Sequence, residues 1–125
     1  MDSMYFADDM TAFVGQIKRW LKPKGIFFVG YQEGDVVPKT SNAHTSLLAA
    51  ALRANGMSYE VCDITRQSYE LLQRKRAAAE HHRPSLEAEG LKEWYDLLIS
   101  QTEYAQCPYD EFKKTMSRYI FTARK

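Results

Sequence analysis

Trp20-Leu21-Lys22-Pro23-Lys24-Gly25-Ile26-Phe27-Phe28-Val29-Gly30-Tyr31 decides how the rest of the chain is read. Pro23-Lys24-Gly25 stops a helix. Upstream of it, Met10, Phe13, Val14, Ile17, Trp20 and Leu21 recur at helical spacing and make one wide apolar stripe. Asp8-Asp9 offers an N-cap and first-turn negative charge, and Lys18, Arg19 and Lys22 put positive charge near the other end. Downstream, Ile26–Tyr31 is a continuous apolar run, the pattern of a strand covered on both faces, as in a parallel sheet. A helix, a stop and a buried strand in direct succession point to an α/β sheet.

The pattern continues on both sides. Met4–Phe6 is short and apolar and reads as the last residues of a strand. A polar loop runs from Gln32 to Asn42. Thr45–Asn55 reads as a second helix, with Leu47, Leu48, Ala51 and Leu52 on one side and Gly56 just past its end. Met57, Tyr59 and Val61 alternate with polar residues or cysteine, as in a half-buried strand. Thr65 caps a third helix that runs toward His82, where Pro84 interrupts it. Ser85 to about Glu103 forms a fourth, with Leu91, Trp94, Tyr95, Leu98 and Thr102 on one face. Pro108 opens a short fifth bearing Phe112 and Met116, and Arg118–Ala123 closes the chain as a strand. The expected architecture is one α/β unit over residues 1–125, a small mixed sheet with flanking helices. The helices of Arg66–Cys107 (residues 66–107) form an insertion in it.

Composition sets limits on function. The 125 residues fit one domain. Seventeen basic and sixteen acidic side chains leave a formal charge of +1, which gives no general attraction to nucleic acid or an anionic membrane. No run approaches the roughly 20 apolar residues of a membrane span, and the opening lacks the order of a secretory signal. Cys62 and Cys107 lack zinc or redox spacing and read as reduced thiols, so a cytoplasmic location is expected. His81-His82 are adjacent rather than four apart, which argues against a metal site. Arg74-Lys75-Arg76 and His81-His82-Arg83 read as a solvated helix face, with a phosphate- or carboxylate-binding patch as the alternative.

The ordered set from Asp2 to Phe28 resembles one stretch of class I, Rossmann-like S-adenosylmethionine-dependent methyltransferases. Asp2-Ser3-Met4-Tyr5-Phe6 is similar to the end of their fourth strand. Asp8-Asp9-Met10 begins the helix after it, Trp20-Leu21-Lys22-Pro23-Lys24-Gly25 is similar to the turn that closes that helix, and Ile26-Phe27-Phe28 starts the fifth strand. Met57–Ile64 and Arg118–Ala123 follow as sixth and last strands. The resemblance implies a partial methyltransferase sheet, from the end of the fourth strand to the seventh, with the last strand antiparallel beside Ile26–Tyr31. It implies methyl transfer from S-adenosylmethionine to a small-molecule acceptor, this chain being the C-terminal, acceptor-side part.

The departure from the family is equally specific. Its cofactor is gripped by a glycine-rich turn after the first strand and an acidic residue ending the second. Here Gly15, Gly25, Gly30, Gly34, Gly56 and Gly90 form no such cluster. The isolated chain is therefore expected to bind no S-adenosylmethionine and to be inactive alone. Its missing pairing surface is expected to be supplied by an N-terminal half or by a homodimer contact through Met1–Phe6 and the Met10–Leu21 helix.

Ligands of open α/β sheets sit beyond the carboxyl ends of strands. By the resemblance, Asp2, Ser3 and Tyr5 would flank the cofactor, and Phe6, Tyr31, Gln32, Trp94 and Tyr95 would face the acceptor. Tyr5 and Tyr31 offer π faces to a sulfonium. Glu33 is the candidate base or acceptor anchor, although Glu33-Gly34-Asp35 also has the residue types of an ordinary turn. The Arg66–Cys107 insertion is a candidate substrate lid. A reading from a different class stands beside this one: a stand-alone, non-catalytic α/β module whose helices bind a partner protein.

Overall fold

A computed structural model describes residues 4–125 of the chain. Two compact units form, one from the chain up to Ile64 together with Met116–Lys125, the other from Thr65–Thr115.

The first unit carries the sheet. Helix α1 spans Met10–Trp20, strand β1 Ile26–Glu33, helix α2 Leu47–Ala54, strand β2 Ser58–Asp63 and strand β3 Ser117–Arg124. β3 lies between β1 and β2 and is antiparallel to both, with Phe28 opposite Thr122 and Val61 opposite Phe121. The expected antiparallel neighbour of Ile26–Tyr31 is present. The expected mixed sheet is not, because among the described residues every adjacent pair is antiparallel.

Local chemistry sets the element ends. The Asp9 carboxylate accepts the Ala12 N–H at 3.0 Å and starts α1. After Trp20 the chain turns through Lys24, whose φ of 63° is left-handed, and Gly25 N–H closes on the Lys22 carbonyl at 2.8 Å. A Cβ on Gly25 would lie 2.7 Å from that carbonyl oxygen, so no other residue fits there without a shift. Ser46 caps α2. Gly56, at φ 65°, ends it with Met57 N–H bonded to Leu52 O and Gly56 N–H to Arg53 O, the Schellman pairing.

The core lies on one face of the sheet. Val14 and Ile17 of α1, Leu48, Ala51 and Leu52 of α2, and Phe27, Val29, Tyr31, Tyr119, Phe121 and Ala123 of the strands are buried together. On the other face Ile26 is 51% and Phe28 60% exposed. β1 is thus not covered on both faces: burial alternates along it. Trp20, included in the apolar stripe of α1, is also exposed. Met4–Phe6 is not a strand end but a 3-10 turn, closed by the Ala7 N–H on Met4 O at 3.1 Å.

The second unit is helical: α3 Thr65–Ala88, α4 Lys92–Ser100 and α5 Tyr109–Thr115. Pro84 does not interrupt α3. Proline removes one N–H from the helix ladder, and the Glu80 carbonyl it would have served belongs to an exposed residue, where water can satisfy it. The break comes at Gly90, φ 74°, with Leu91 N–H on Leu86 O at 2.7 Å. Tyr69 anchors the unit, its hydroxyl donating to Cys107 O at 2.7 Å and its ring packing on Tyr109 and Phe112. None of the described helices is long and apolar enough to cross a membrane.

Candidate functional site

Beyond the carboxyl end of β1 lies an open cleft of about 240 Å³, lined by Tyr5, Phe6, Gln32, Asp35, Val36 and Arg118. Each wall follows from local structure. The Met4–Phe6 turn lays the Tyr5 ring at 5.5 Å from Tyr31 and brings its hydroxyl 3.2 Å from the Gln32 N–H, which it accepts. Alternation along β1 turns the Gln32 side chain to the face opposite the core. Register places Gln32 opposite Arg118, and the Arg118 guanidinium donates to Gln32 Oε1 at 2.8 Å. Gly34, φ 101°, turns the chain so that Asp35 and Val36 form the fourth wall.

Tyr5, Phe6 and Gln32 are thus brought together. Phe6 is largely exposed, edge-on to Tyr5. Asp2 and Ser3 lie outside the described residues. Tyr31 points into the core instead. Its ring sits between Tyr5 and Phe121, and its hydroxyl is fully buried without a hydrogen-bond partner among the described residues. Burial, with the Glu33 charge nearby, pushes its phenol up to about 12; the Leu48 amide pulls slightly the other way but makes no hydrogen bond of ordinary geometry.

Glu33 also points to the core face and is 0% exposed. Thr40 holds both of its oxygens, the backbone N–H at 2.7 Å from Oε2 and the hydroxyl at 3.2 Å from Oε1. Trp94 and Tyr95 belong to the helical unit. Trp94 is 60% exposed, and Tyr95 lies under the Arg83 guanidinium at 5.0 Å. Arg118, Asp35 and Val36 were not among the residues expected in a site. Arg118 is distant in sequence from every other lining residue, and only the strand register reveals it.

A second cleft, about 400 Å³, shares Tyr5 and is lined also by Asp8, Asp9, Met10, Val37 and Leu47. Among the described residues no group of three or more histidine, cysteine, aspartate or glutamate side chains is placed to hold a metal. The cysteines are unpaired.

This arrangement offers groups of both charges and aromatic faces for binding. Arg118 supplies N–H donors suited to an anionic group, Tyr5 and Phe6 present aromatic faces suited to a cation, and Asp35 adds a negative charge at the rim.

No family's sequence profile matches the chain, and no curated protein is similar to it. A solved structure is: phosphoethanolamine N-methyltransferase 2 of Haemonchus contortus, in complex with phosphomonomethylethanolamine and S-adenosylhomocysteine. The match has a TM-score of 0.75 at 17% identity and covers 98% of this chain. The chain has the fold of part of an S-adenosylmethionine-dependent methyltransferase. It spans 31% of that protein's length. Within this partial methyltransferase fold the described residues do not fit a whole cofactor site. None of the six glycines forms the glycine-rich turn that would approach the methionine moiety.

Proposed function

We propose that the chain is the acceptor-side part of an S-adenosylmethionine-dependent methyltransferase, and that its cleft takes a small molecule carrying both an anionic and a cationic group. The observation that supports this is the convergence of Arg118, Asp35, Tyr5 and Phe6 on one cleft at the carboxyl end of β1. The ligand of the Haemonchus contortus enzyme, a phosphate ester of a methylated amine, has both kinds of charge. The cofactor, when bound, supplies an electrophilic methyl group. The residues here bind and orient the acceptor, and that orientation is what an in-line displacement needs. Asp2, Ser3 and Tyr5 would border the cofactor; the rest of its grip is assigned to segments other than this chain. Such an enzyme would work in the cytoplasm.

A ligand screen by NMR tests this reading. Phosphoethanolamine and related small zwitterions are expected to shift the Tyr5, Gln32, Asp35 and Arg118 resonances saturably. A screen in which no small zwitterion or anion moves them would overturn it. One observation favours the second reading, a protein-binding module: Leu71, Trp94 and Leu97 are exposed on the helical unit. That reading expects substitutions there to abolish partner capture and leave the cleft silent.

A further inference from the structure

We propose that Glu33 is a positioning residue, whose buried carboxylate holds Thr40 and thereby sets the loop that carries Asp35 and Val36 to the cleft. The proposal rests on the reading of that cleft as the acceptor site. A base must reach a substrate proton with an oxygen. Both Glu33 oxygens are enclosed and engaged by Thr40, on the face of the sheet opposite Gln32 and Arg118.

The loop between the two residues is fixed at further points. Gly34 N–H bonds to Val37 O at 2.8 Å, Val37 is buried, and Lys39 Nζ donates to Ser117 Oγ at 2.7 Å. Ser117 is itself buried and lies opposite Glu33 in the strand register. Beyond Thr40, the Asn42 side chain accepts from the His44 and Thr45 amides. The tip, Gly34-Asp35-Val36, is exposed, as is Pro38 beyond the buried Val37. Two of the three tip residues line the cleft. An enclosed side chain whose oxygens accept the Thr40 N–H and hydroxyl pins the loop where it returns to the sheet.

Glu33→Gln separates positioning from proton transfer. A carboxamide can accept the Thr40 N–H and donate to the Thr40 hydroxyl, which then donates to the Asn42 carbonyl 3.1 Å away. Glu33→Ala can do neither. The test compares Glu33→Gln, Glu33→Ala and Thr40→Val in the full chain. Amide exchange at Asp35, Val36 and Thr40 is measured beside the thermal midpoint and the affinity for phosphoethanolamine. Glu33→Gln is expected to keep Thr40 protection and probe affinity within about twofold. Glu33→Ala is expected to speed Thr40 exchange and weaken the probe by about tenfold each, the factor set by roughly one hydrogen bond. Thr40→Val, which keeps the backbone bond, is expected to fall between and serves if the alanine variant does not fold. Unchanged loop exchange and probe affinity in Glu33→Ala and Thr40→Val would overturn the proposal. So would a glutamine variant as damaged as the alanine one, since that would mean the charge itself is used. If the unaltered protein ignores the probe, the acceptor reading fails, while Thr40 exchange still decides whether Glu33 holds the loop.

Discussion

The Tyr5 hydroxyl accepts the Gln32 backbone N–H at 3.2 Å, so a side chain takes up a strand-edge donor that faces away from β3. This bond ties the Met4–Phe6 turn to the end of β1 and makes one corner of the cleft. Tyr5→Phe keeps the ring against Tyr31 and removes the acceptor. The expected cost is about 1 kcal/mol, the usual worth of one such bond. Faster exchange of the Gln32 amide should accompany it. Denaturant unfolding with amide exchange checks both.

How much of this was legible varies by element. α1 was readable because Asp9, the apolar spacing and Pro23 each point to the same boundaries. The end of α2 followed from Gly56 alone. The open face of β1 was not readable: an apolar run does not tell whether Ile26 and Phe28 are covered or exposed. Pro84 misled because the carbonyl it orphans belongs to an exposed residue, where water can serve it, and the helix continues. Tyr5, Phe6 and Gln32 were singled out as residues at strand ends, although Met4–Phe6 is a turn, and all three line the cleft. Arg118 was out of reach, since it meets Gln32 across 86 residues through a register no local pattern encodes.

Tyr31 sets a pH dependence. In the unfolded chain its phenol titrates near pH 10, and in the folded chain at about 12, mainly through burial. Between these values the unfolded chain gives up a proton that the folded chain keeps. Stability is therefore whole below pH 10 and falls as pH rises, by up to about 1.4 kcal/mol per pH unit from this group. Tyr119, also raised by burial, acts in the same direction. Tyr31→Phe is expected to flatten the alkaline loss. At neutral pH it should leave stability unchanged or slightly higher, because a buried hydroxyl without a partner is costly. Thermal midpoints from pH 7 to 12 measure both.

Arg118→Gln should weaken an anionic ligand of the cleft by roughly ten- to a hundredfold, the range of one charge-assisted hydrogen bond. Gln32 loses its partner at the same time, so the Gln32 resonances should shift without ligand. Retained phosphate-ester affinity in this variant would remove Arg118 from the site.

The uncovered face of the sheet predicts association. Ile26 and Phe28 are exposed on the face opposite the core, and exposed apolar surface of this kind is often buried by a second copy. We expect a homodimer at low micromolar concentration, with Ile26 and Phe28 of β1 at the contact. Phe28→Lys should shift it toward monomer in sedimentation velocity while leaving the circular dichroism unchanged. A monomeric unaltered chain would show that this face needs no cover.

The most direct test of the assignment is a paired calorimetric titration of the purified chain, once with phosphoethanolamine and once with S-adenosylhomocysteine. An acceptor-side fragment should give saturable heat with the zwitterion and no micromolar binding of the cofactor product. Micromolar binding of S-adenosylhomocysteine with no response to the zwitterion would contradict the account.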